Sequence, residues 1–224
     1  MPLQALSSLP VGSRPCRCQL TQPEVKLVVV TGGPGAGKTA VLEMARRSFC
    51  KHIAILPEAA GIVFGGGFPR LDTEAGRCAS QRAIYHVQRE LEALALGHEK
   101  EIAVALCDRG TLDGVAYWPK SAVSYWEDLG TQPETELRRY SAVVHLRTPV
   151  LEHGFDHSNP LRIESAEQAA SLDREIATAW AGHPRRIEVP STTDFLEKAR
   201  VVLELVRVEL PECCHGHDID LTRP

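Results

Sequence analysis

The sequence lacks the features that mark membrane proteins, secreted proteins and proteins that bind nucleic acid by bulk charge. No apolar run approaches the ~18 residues that cross a bilayer, and no cationic start precedes a long apolar segment. The formal net charge of −4 argues against nucleic acid or anionic membranes as broad partners. The seven cysteines are odd in number and scattered, unlike a secreted disulfide framework. These absences predict a cytoplasmic enzyme with no membrane span.

The sequence also has no C-x-x-C pair, although both ends of the chain carry metal-binding side chains. Cys16 and Cys18 lie near the start, and Cys213-Cys214-His215-Gly216-His217 lies near the end. Both groups fall outside the predicted helices and strands, so we do not predict zinc binding there. Residues 1–24 hold four prolines and no acid before Glu24, which predicts a disordered tail. Residues 211–224 are a second predicted tail, and residues 25–210 form one domain.

Five short runs of aliphatic and β-branched residues predict five strands. They show little alternation of apolar and polar residues, as expected for parallel strands that are buried on both faces. The runs are 27–31, 53–56, 102–107, 142–146 and 187–189. Apolar residues at helical spacing predict helices at 39–49, 73–96, 166–181 and 193–209. This alternation of strands and helices predicts an α/β domain with a mainly parallel sheet.

A glycine-rich segment between the first strand and the first helix matches the G-x-x-x-x-G-K-[ST] pattern at every fixed position. It reads Gly32-Gly33-Pro34-Gly35-Ala36-Gly37-Lys38-Thr39, and Ala40 continues the helix. Bare backbone lets successive N–H groups turn inward around phosphate oxygens, and the helix dipole adds to their field. Lys38 would neutralise the β- and γ-phosphates, and the Thr39 hydroxyl would be a Mg²⁺ ligand. The pattern therefore predicts binding of a nucleoside triphosphate.

Three absences narrow the class of P-loop protein. The sequence has no N-K-x-D-type motif, which argues against a Ras-like GTPase. No apolar run ends in Asp-Glu, the pair that motor-type and ring ATPases use for Mg²⁺ and water. Too little chain follows the last predicted strand for the helical lid domain of a ring-forming ATPase.

Acidic and basic residues follow the predicted strands in an order that resembles a known group of proteins. Asp108-Arg109-Gly110 at a strand end resembles the small P-loop kinases that phosphorylate nucleosides and nucleotides. The longer pattern adds the following segments: Pro57-Glu58-Ala59-Ala60, Asp113, Tyr117 and Pro160-Leu161-Arg162-Ile163-Glu164. It is similar to the AAA-family ATP-binding proteins that group with the ribosylnicotinamide kinase domain, over residues 25–210. The resemblance implies a three-layer P-loop NTPase fold of the nucleotide-kinase type, with a mainly parallel five-stranded sheet.

The resemblance also implies roles for individual residues, because open α/β sheets bind ligands at the carboxyl ends of their strands. Asp108 would hold Mg²⁺ through water, and Arg109 would contact phosphate. Glu58 would orient or deprotonate an acceptor hydroxyl. Arg162 lies where the family has a lid that closes arginines over the phosphates.

The acceptor region of such kinases corresponds to residues 61–70, which contain four glycines and two phenylalanines. We expect a mobile glycine loop that clamps a flat ring, or a flexible connection. Arg77, Gln81 and Arg82 on the next helix are candidate acceptor ligands, and Trp118, Tyr125 and Trp126 are expected to pack in the core.

These observations together predict a phosphotransferase that binds Mg-ATP and phosphorylates a small hydroxyl acceptor, nucleoside-like in character. Two alternatives stay open. One is a nucleotide-binding switch or phosphoinositide-binding regulator, because a relative in the group is of that kind. The other is an NTPase whose acceptor is water. The choice between ATP and GTP and the oligomeric state are open as well.

Overall fold

Five short parallel strands form a single sheet in the computed structural model, which describes residues 9–16, 23–98, 101–149, 166–192 and 194–221. The strands are β1 (Lys26–Thr31), β2 (Ile53–Leu56), β3 (Val104–Asp108), β4 (Ala142–Leu146) and β5 (Arg186–Val189). Their order across the sheet is β2-β3-β1-β4-β5, and every pairing is parallel. The predicted five-stranded sheet is confirmed.

Helices cover both faces of this sheet. The described ranges contain α1 (Lys38–Ser48), α2 (Ala59–Gly65), α3 (Glu74–His98), α4 (Gly114–Tyr117), α5 (Ala122–Leu129), α6 (Pro133–Leu137), α7 (Ala166–Ala179) and α8 (Phe195–Glu209). Val28 and Val30 of β1 join the core with α1 and α8, whereas Leu27 and Val29 join the core with α3 and α7. Successive side chains of a strand point to opposite faces, so β1 is buried on both sides. The result is a three-layer α/β fold.

Residues 61–70 do not form the expected glycine loop, because α2 begins at Ala59 and ends at Gly65. Ala59 and Val63, one helical turn apart, are buried, and α2 packs against α3. Packing of this kind offsets the cost of glycine inside a helix. The non-helical part is limited to residues 66–73 and begins with a turn at Gly67, whose φ of 93° suits glycine.

The region between β3 and β4 contains three short helices, α4 to α6, that the sequence analysis does not predict. They are too short to produce a clear apolar period. Their aromatic residues pack as expected: Trp118, Tyr125 and Trp126 are buried, and Tyr125 meets both tryptophans edge to face. Within the described residues, the structure has no helix that is both long and apolar enough to cross a membrane.

Parts of both predicted tails lie against the domain. The backbone of residues 10–14 bonds to the α1–β2 region; for example, Gly12 N–H donates to Ile53 O and Ile55 N–H to Pro10 O, at 2.9 and 2.8 Å. A Cβ on Gly12 would lie 2.2 Å from Cys50 O, so only glycine permits this approach. After α8, a 3₁₀ turn spans Glu212–Cys214, and Asp220 N–H donates to Ser48 Oγ. The composition of these segments does not reveal their attachment, because the partners are distant in sequence.

Candidate active site

The phosphate cradle, residues 32–39, connects β1 to α1 and depends on glycine for its shape. Gly32, Gly35 and Gly37 have φ of 135°, 79° and 91°, a region that other residues rarely adopt. A Cβ on Gly32 would lie 2.0 Å from Leu146 O, and one on Gly37 would lie 2.7 Å from the Phe195 ring. The cradle is therefore fixed by its own backbone and by close packing against β4 and α8.

Lys38, the first residue of α1, folds back over the cradle. Its Nζ donates to the carbonyls of Gly32 and Gly33, both at 3.1 Å, and the side chain is buried. Burial, followed by the charge of Arg109, lowers the pKa of Lys38 to about 8. A bound polyphosphate would supply the negative charge that favours the ammonium form.

Thr39 and Asp108 meet at the carboxyl end of the sheet. Thr39 Oγ1 lies 3.5 Å from Asp108 Oδ2, at the outer limit for a hydrogen bond. In the described part of the chain, Asp108 Oδ1 is buried and has no hydrogen-bond partner. Burial, and to a smaller extent the nearby carboxylates Glu58 and Asp113, raise the pKa of Asp108 to about 6. A hydroxyl beside an unsatisfied carboxylate fits Mg²⁺, which prefers oxygen ligands and keeps several waters.

Arg109 is held in place by three acceptors. Its guanidinium donates to Glu58 at 2.7 Å, to Gly32 O at 3.1 Å and to Asp113 at 3.1 Å. Among the described residues other than glycine, Arg109 alone has a positive φ, 73°. Such backbone strain persists where the surroundings enforce it, as at ligand sites. The sequence predicts that Arg109 contacts phosphate. The structure adds that Arg109 forms an ion pair with Glu58, the residue that follows β2.

Glu58 follows β2 and remains partly open to solvent, with 40% of its side chain exposed against 14% for Arg109. Burial raises the pKa of Glu58, but the charges of Arg109 and Lys38 outweigh it, so the pKa lies below the usual value. Glu58 is therefore ionised at neutral pH and is a weak base. It can accept a hydrogen bond from a ligand on its open side.

Asp113 is the centre of a buried hydrogen-bond network. The sequence places Asp113 in the family-like pattern but predicts no role for it. It accepts hydrogen bonds from Thr31 Oγ1, Gly110 N–H and Trp180 Nε1, besides Arg109. Thr31 ends β1, Gly110 follows β3 and Trp180 follows α7, so Asp113 connects these three elements at the site. In the sequence, the only indication of the Arg109–Asp113 ion pair was the spacing of four residues between an arginine and an acid.

Two further residues support the cradle and were missed. Lys198 on α8 is buried, and its Nζ donates to Ala36 O at 3.0 Å and to Arg147 O at 2.7 Å. Asp173 on α7 accepts from Gly33 N–H at 2.9 Å and contacts His145 Nε2 at 3.0 Å. A lysine on the apolar face of a helix, next to Ala199 and Val202, was the signal for the first.

The candidate acceptor ligands are distributed around α3. Arg77 Nη2 donates to Tyr117 O at 3.3 Å, and Arg82 forms an exposed ion pair with Asp128. Arg70 lies over the Phe64 ring, 4.8 Å from its centroid, and its charge also acts on Glu58. Arg162 and the predicted lid fall outside the described residues.

Comparison with known proteins gives the family of the chain. A family described as an AAA domain matches residues 27–198. The chain belongs to that family. The match includes the cradle, Glu58 and Asp108-Arg109, and the resemblance derived from the sequence is confirmed. A search of curated proteins finds no match.

Solved structures with the same fold include two of NadR and one of thymidylate kinase. NadR in complex with NR has a TM-score of 0.62 at 15% identity, covering 88% of this AAA-domain chain and 53% of the NadR chain. NadR in complex with NAD and AMP-PNP has a TM-score of 0.57 at 14% identity, with coverages of 83% and 49%. Thymidylate kinase from Ehrlichia chaffeensis has a TM-score of 0.54 at 12% identity, with coverages of 82% and 99%. The chain thus spans about half of the NadR chains, and these likenesses establish a P-loop kinase-like fold.

Proposed function

We propose that the protein is a Mg-ATP-dependent phosphotransferase whose acceptor is the hydroxyl of a small, nucleoside-like molecule. One observation carries the proposal: a partly exposed carboxylate, Glu58, is fixed by Arg109 beside the phosphate cradle and Asp108. Nucleotide binding alone would not require an oriented carboxylate with an open side.

The backbone of residues 33–40 would bind the phosphates. Gly33 N–H is already bonded to Asp173, Ala36 N–H donates to Gly33 O at 3.3 Å, and Pro34 has no N–H, so the donors would come from Gly35 and from Gly37 to Ala40. Lys38 would leave the carbonyls of Gly32 and Gly33 for the β- and γ-phosphates. Thr39 would bind Mg²⁺ directly and Asp108 through water, and the ion would neutralise charge on the phosphate oxygens.

In the transfer step, the acceptor oxygen bonds to the γ-phosphorus while the bond from that phosphorus to the β–γ bridging oxygen breaks. The products are ADP, the phosphorylated acceptor and the proton of the hydroxyl. Phosphoryl transfer needs little nucleophile activation, since its transition state is loose. A weak base suits this chemistry, and Glu58 would mainly hold the acceptor hydroxyl in line by accepting its hydrogen bond.

The same ion pair also favours a second candidate. Glu58 and Arg109 satisfy each other, so they could be a structural link in a nucleotide-binding switch or a simple NTPase with no organic acceptor. The two functions differ in whether an added acceptor increases nucleotide consumption and in whether Glu58 matters to it.

The test compares wild type with Glu58→Gln, which keeps size and removes charge. Nucleoside diphosphate formation, ADP from Mg-ATP or GDP from Mg-GTP, is measured with a panel of nucleosides, nucleotides and small alcohols. We expect one acceptor class to stimulate diphosphate formation and Glu58→Gln to reduce that stimulation about 100-fold or more, with nucleotide affinity nearly unchanged.

Glu90→Gln is the matched control, because Glu90 is exposed in the middle of α3. This variant should behave as wild type. Absence of stimulation by any acceptor, with Glu58→Gln equal to wild type, would reject the phosphotransferase in favour of the switch. Nucleotide hydrolysis that no acceptor stimulates and that is equal in Glu58→Gln and wild type would favour the NTPase.

A further inference from the structure

Six cysteine and histidine side chains converge at the amino end of β2, in a group that we call the thiol cluster. Its members come from three segments that are far apart in the sequence: Cys16, Cys50, His52, Cys213, Cys214 and His217. His52 Nδ1 is central, at 3.2 Å from Cys50 Sγ, 3.4 Å from Cys214 Sγ, 3.5 Å from Cys213 Sγ and 3.9 Å from Cys16 Sγ. An imidazole nitrogen among four sulfurs is an arrangement typical of a metal centre.

The buried part of the thiol cluster has nearly the dimensions of a tetrahedral zinc site. Cys50, His52 and Cys214 are fully buried. The Sγ atoms of the two cysteines lie 3.2 Å apart. Zinc bonds of about 2.3 Å to sulfur and 2.0 Å to nitrogen place ligand sulfurs about 3.8 Å apart and sulfur and nitrogen about 3.5 Å apart. A bound ion would therefore require the two sulfurs to separate by only about half an ångström.

Two cysteines are placed to supply a fourth ligand. Cys213 Sγ lies 3.9 Å from Cys214 Sγ, and Cys16 Sγ lies within 4.8 Å of Cys50 Sγ. Both also approach His52, as given above. His217 lies near Cys16 and Cys50, and in the described part of the chain its Nε2 is buried without a hydrogen-bond partner. The cluster thus holds more donors than one tetrahedral ion needs.

The chemistry of these donors selects the metal. Thiolates with imidazole favour zinc over magnesium or calcium, which take oxygen ligands. A disulfide between Cys50 and Cys214 would use two of these sulfurs and would not require the central histidine or the two further cysteines. Its sulfurs would also have to approach from 3.2 Å to about 2.05 Å.

We propose that Cys50, His52 and Cys214, completed by Cys16 or Cys213, bind one structural Zn²⁺ that ties the C-terminal segment to the domain, and the N-terminal segment as well where Cys16 is the fourth ligand. The site lies before β2, whereas Glu58 and the phosphate cradle lie at the carboxyl ends of the strands. Four residues of β2 separate the two ends by about 13 Å, so the metal has no contact with the transferred phosphate. Its role is to join segments 164 residues apart in sequence.

The test begins with metal content. The full chain, purified under reducing conditions without chelator or histidine tag, should contain about one zinc per chain by elemental mass spectrometry. Cobalt in place of zinc should give the visible absorption of tetrahedral thiolate coordination. Removal of zinc should lower the Tm by about 5–15 °C, and added zinc should restore it.

Variants identify the ligands. Cys214→Ala should lose zinc, whereas Cys78→Ala should keep it, because Cys78 is also buried but lies outside the cluster. If Cys214→Ala fails to fold, variants of the half-buried Cys16 and the exposed Cys213 test the proposal instead. Cys16→Ser and Cys213→Ser should each keep zinc, because the other cysteine can still be the fourth ligand. The double variant should lose zinc.

Three results would overturn the proposal. The reduced full chain could contain no stoichiometric zinc and give no cobalt–thiolate absorption. Mass spectrometry without reductant could find a Cys50–Cys214 disulfide in protein that takes up no zinc after reduction. Zinc could also persist unchanged in the Cys16→Ser, Cys213→Ser double variant, which would exclude this ligand set.

Discussion

The phosphate cradle and the thiol cluster lie at opposite ends of the same sheet and are encoded in opposite ways. The cradle comes from eight consecutive residues, because phosphates are bound mainly by a short stretch of glycine-rich backbone. The thiol cluster needs only the tips of side chains, and these come from three segments, with Cys50 and Cys214 separated by 164 residues. A site made of backbone leaves a local sequence pattern, whereas a site made of side chains need not.

The largest effect is expected from Lys38→Ala, which breaks the cradle and should leave the thiol cluster intact. Lys38 is the fixed counter-charge of the β- and γ-phosphates, so nucleotide affinity should fall about 100-fold and turnover should reach background. Calorimetric titration with ATP and an ADP-release assay measure the two effects.

Zinc content measured on the same Lys38→Ala protein tests the separation of the two sites, and it should equal that of wild type. Lys120→Ala is the control, since Lys120 is exposed and pairs with Glu74. Equal ATP affinity in Lys38→Ala and Lys120→Ala would contradict the cradle assignment.

The sequence predicts the fold better than it predicts the details of the site. Continuous aliphatic runs such as 27–31 predict strands directly, and apolar residues at helical spacing, as in 193–209, predict helices. Short helices such as α4 and α6 show no clear apolar periodicity. The glycines of α2 favour a loop, so the sequence does not predict this helix. The network of Asp113 and the support from Lys198 depend on tertiary packing between distant elements, which no local pattern encodes.

A smaller effect is expected from Asp108→Asn, and it should have opposite signs for stability and for metal binding. The pKa of Asp108 is raised to about 6, chiefly by burial. Stabilisation from the bound proton is thus present below pH 4 and is lost as the pH rises through 6. Asn cannot ionise, so the ligand-free variant should have a higher Tm than wild type at pH 8 and an equal Tm at pH 4. Thermal denaturation at both pH values measures this difference.

The same substitution should raise the Mg²⁺ concentration needed for half-maximal nucleotide turnover about 10- to 100-fold, since Asp108 is proposed to hold the ion through water. Asp128→Asn is the control, because Asp128 forms an exposed ion pair with Arg82 and takes no part in the proposed Mg²⁺ site. A Tm difference that does not depend on pH, or an unchanged Mg²⁺ requirement, would remove Asp108 from its proposed role.

The smallest effect is expected from Lys198→Met, which tests how far the cradle depends on a side chain contributed from outside its own sequence. Lys198 bonds the carbonyls of Ala36 and Arg147, and burial lowers its pKa to about 8. Met is unbranched like Lys and one atom shorter; it leaves two carbonyls without this donor, while it removes a buried charge. These opposing terms should nearly cancel in stability, yet the cradle should become looser, with a 3- to 10-fold weaker ATP affinity, on the order of 1 kcal/mol.

If Lys198 positions the cradle through its charged hydrogen bonds, the ATP affinity of the wild type should depend on pH, whereas a side chain that only fills space would give no such dependence. Wild-type affinity should approach that of Lys198→Met as the pH rises through about 8, because the neutral amine is a weaker donor than the ammonium. Lys38 titrates in the same range when free, but bound phosphates keep it charged, and it is present in both proteins. The ratio of the two affinities between pH 7 and 9 therefore isolates Lys198. A constant ratio would mean that Lys198 only fills space, and the cradle would then be positioned by its own glycines and their packing.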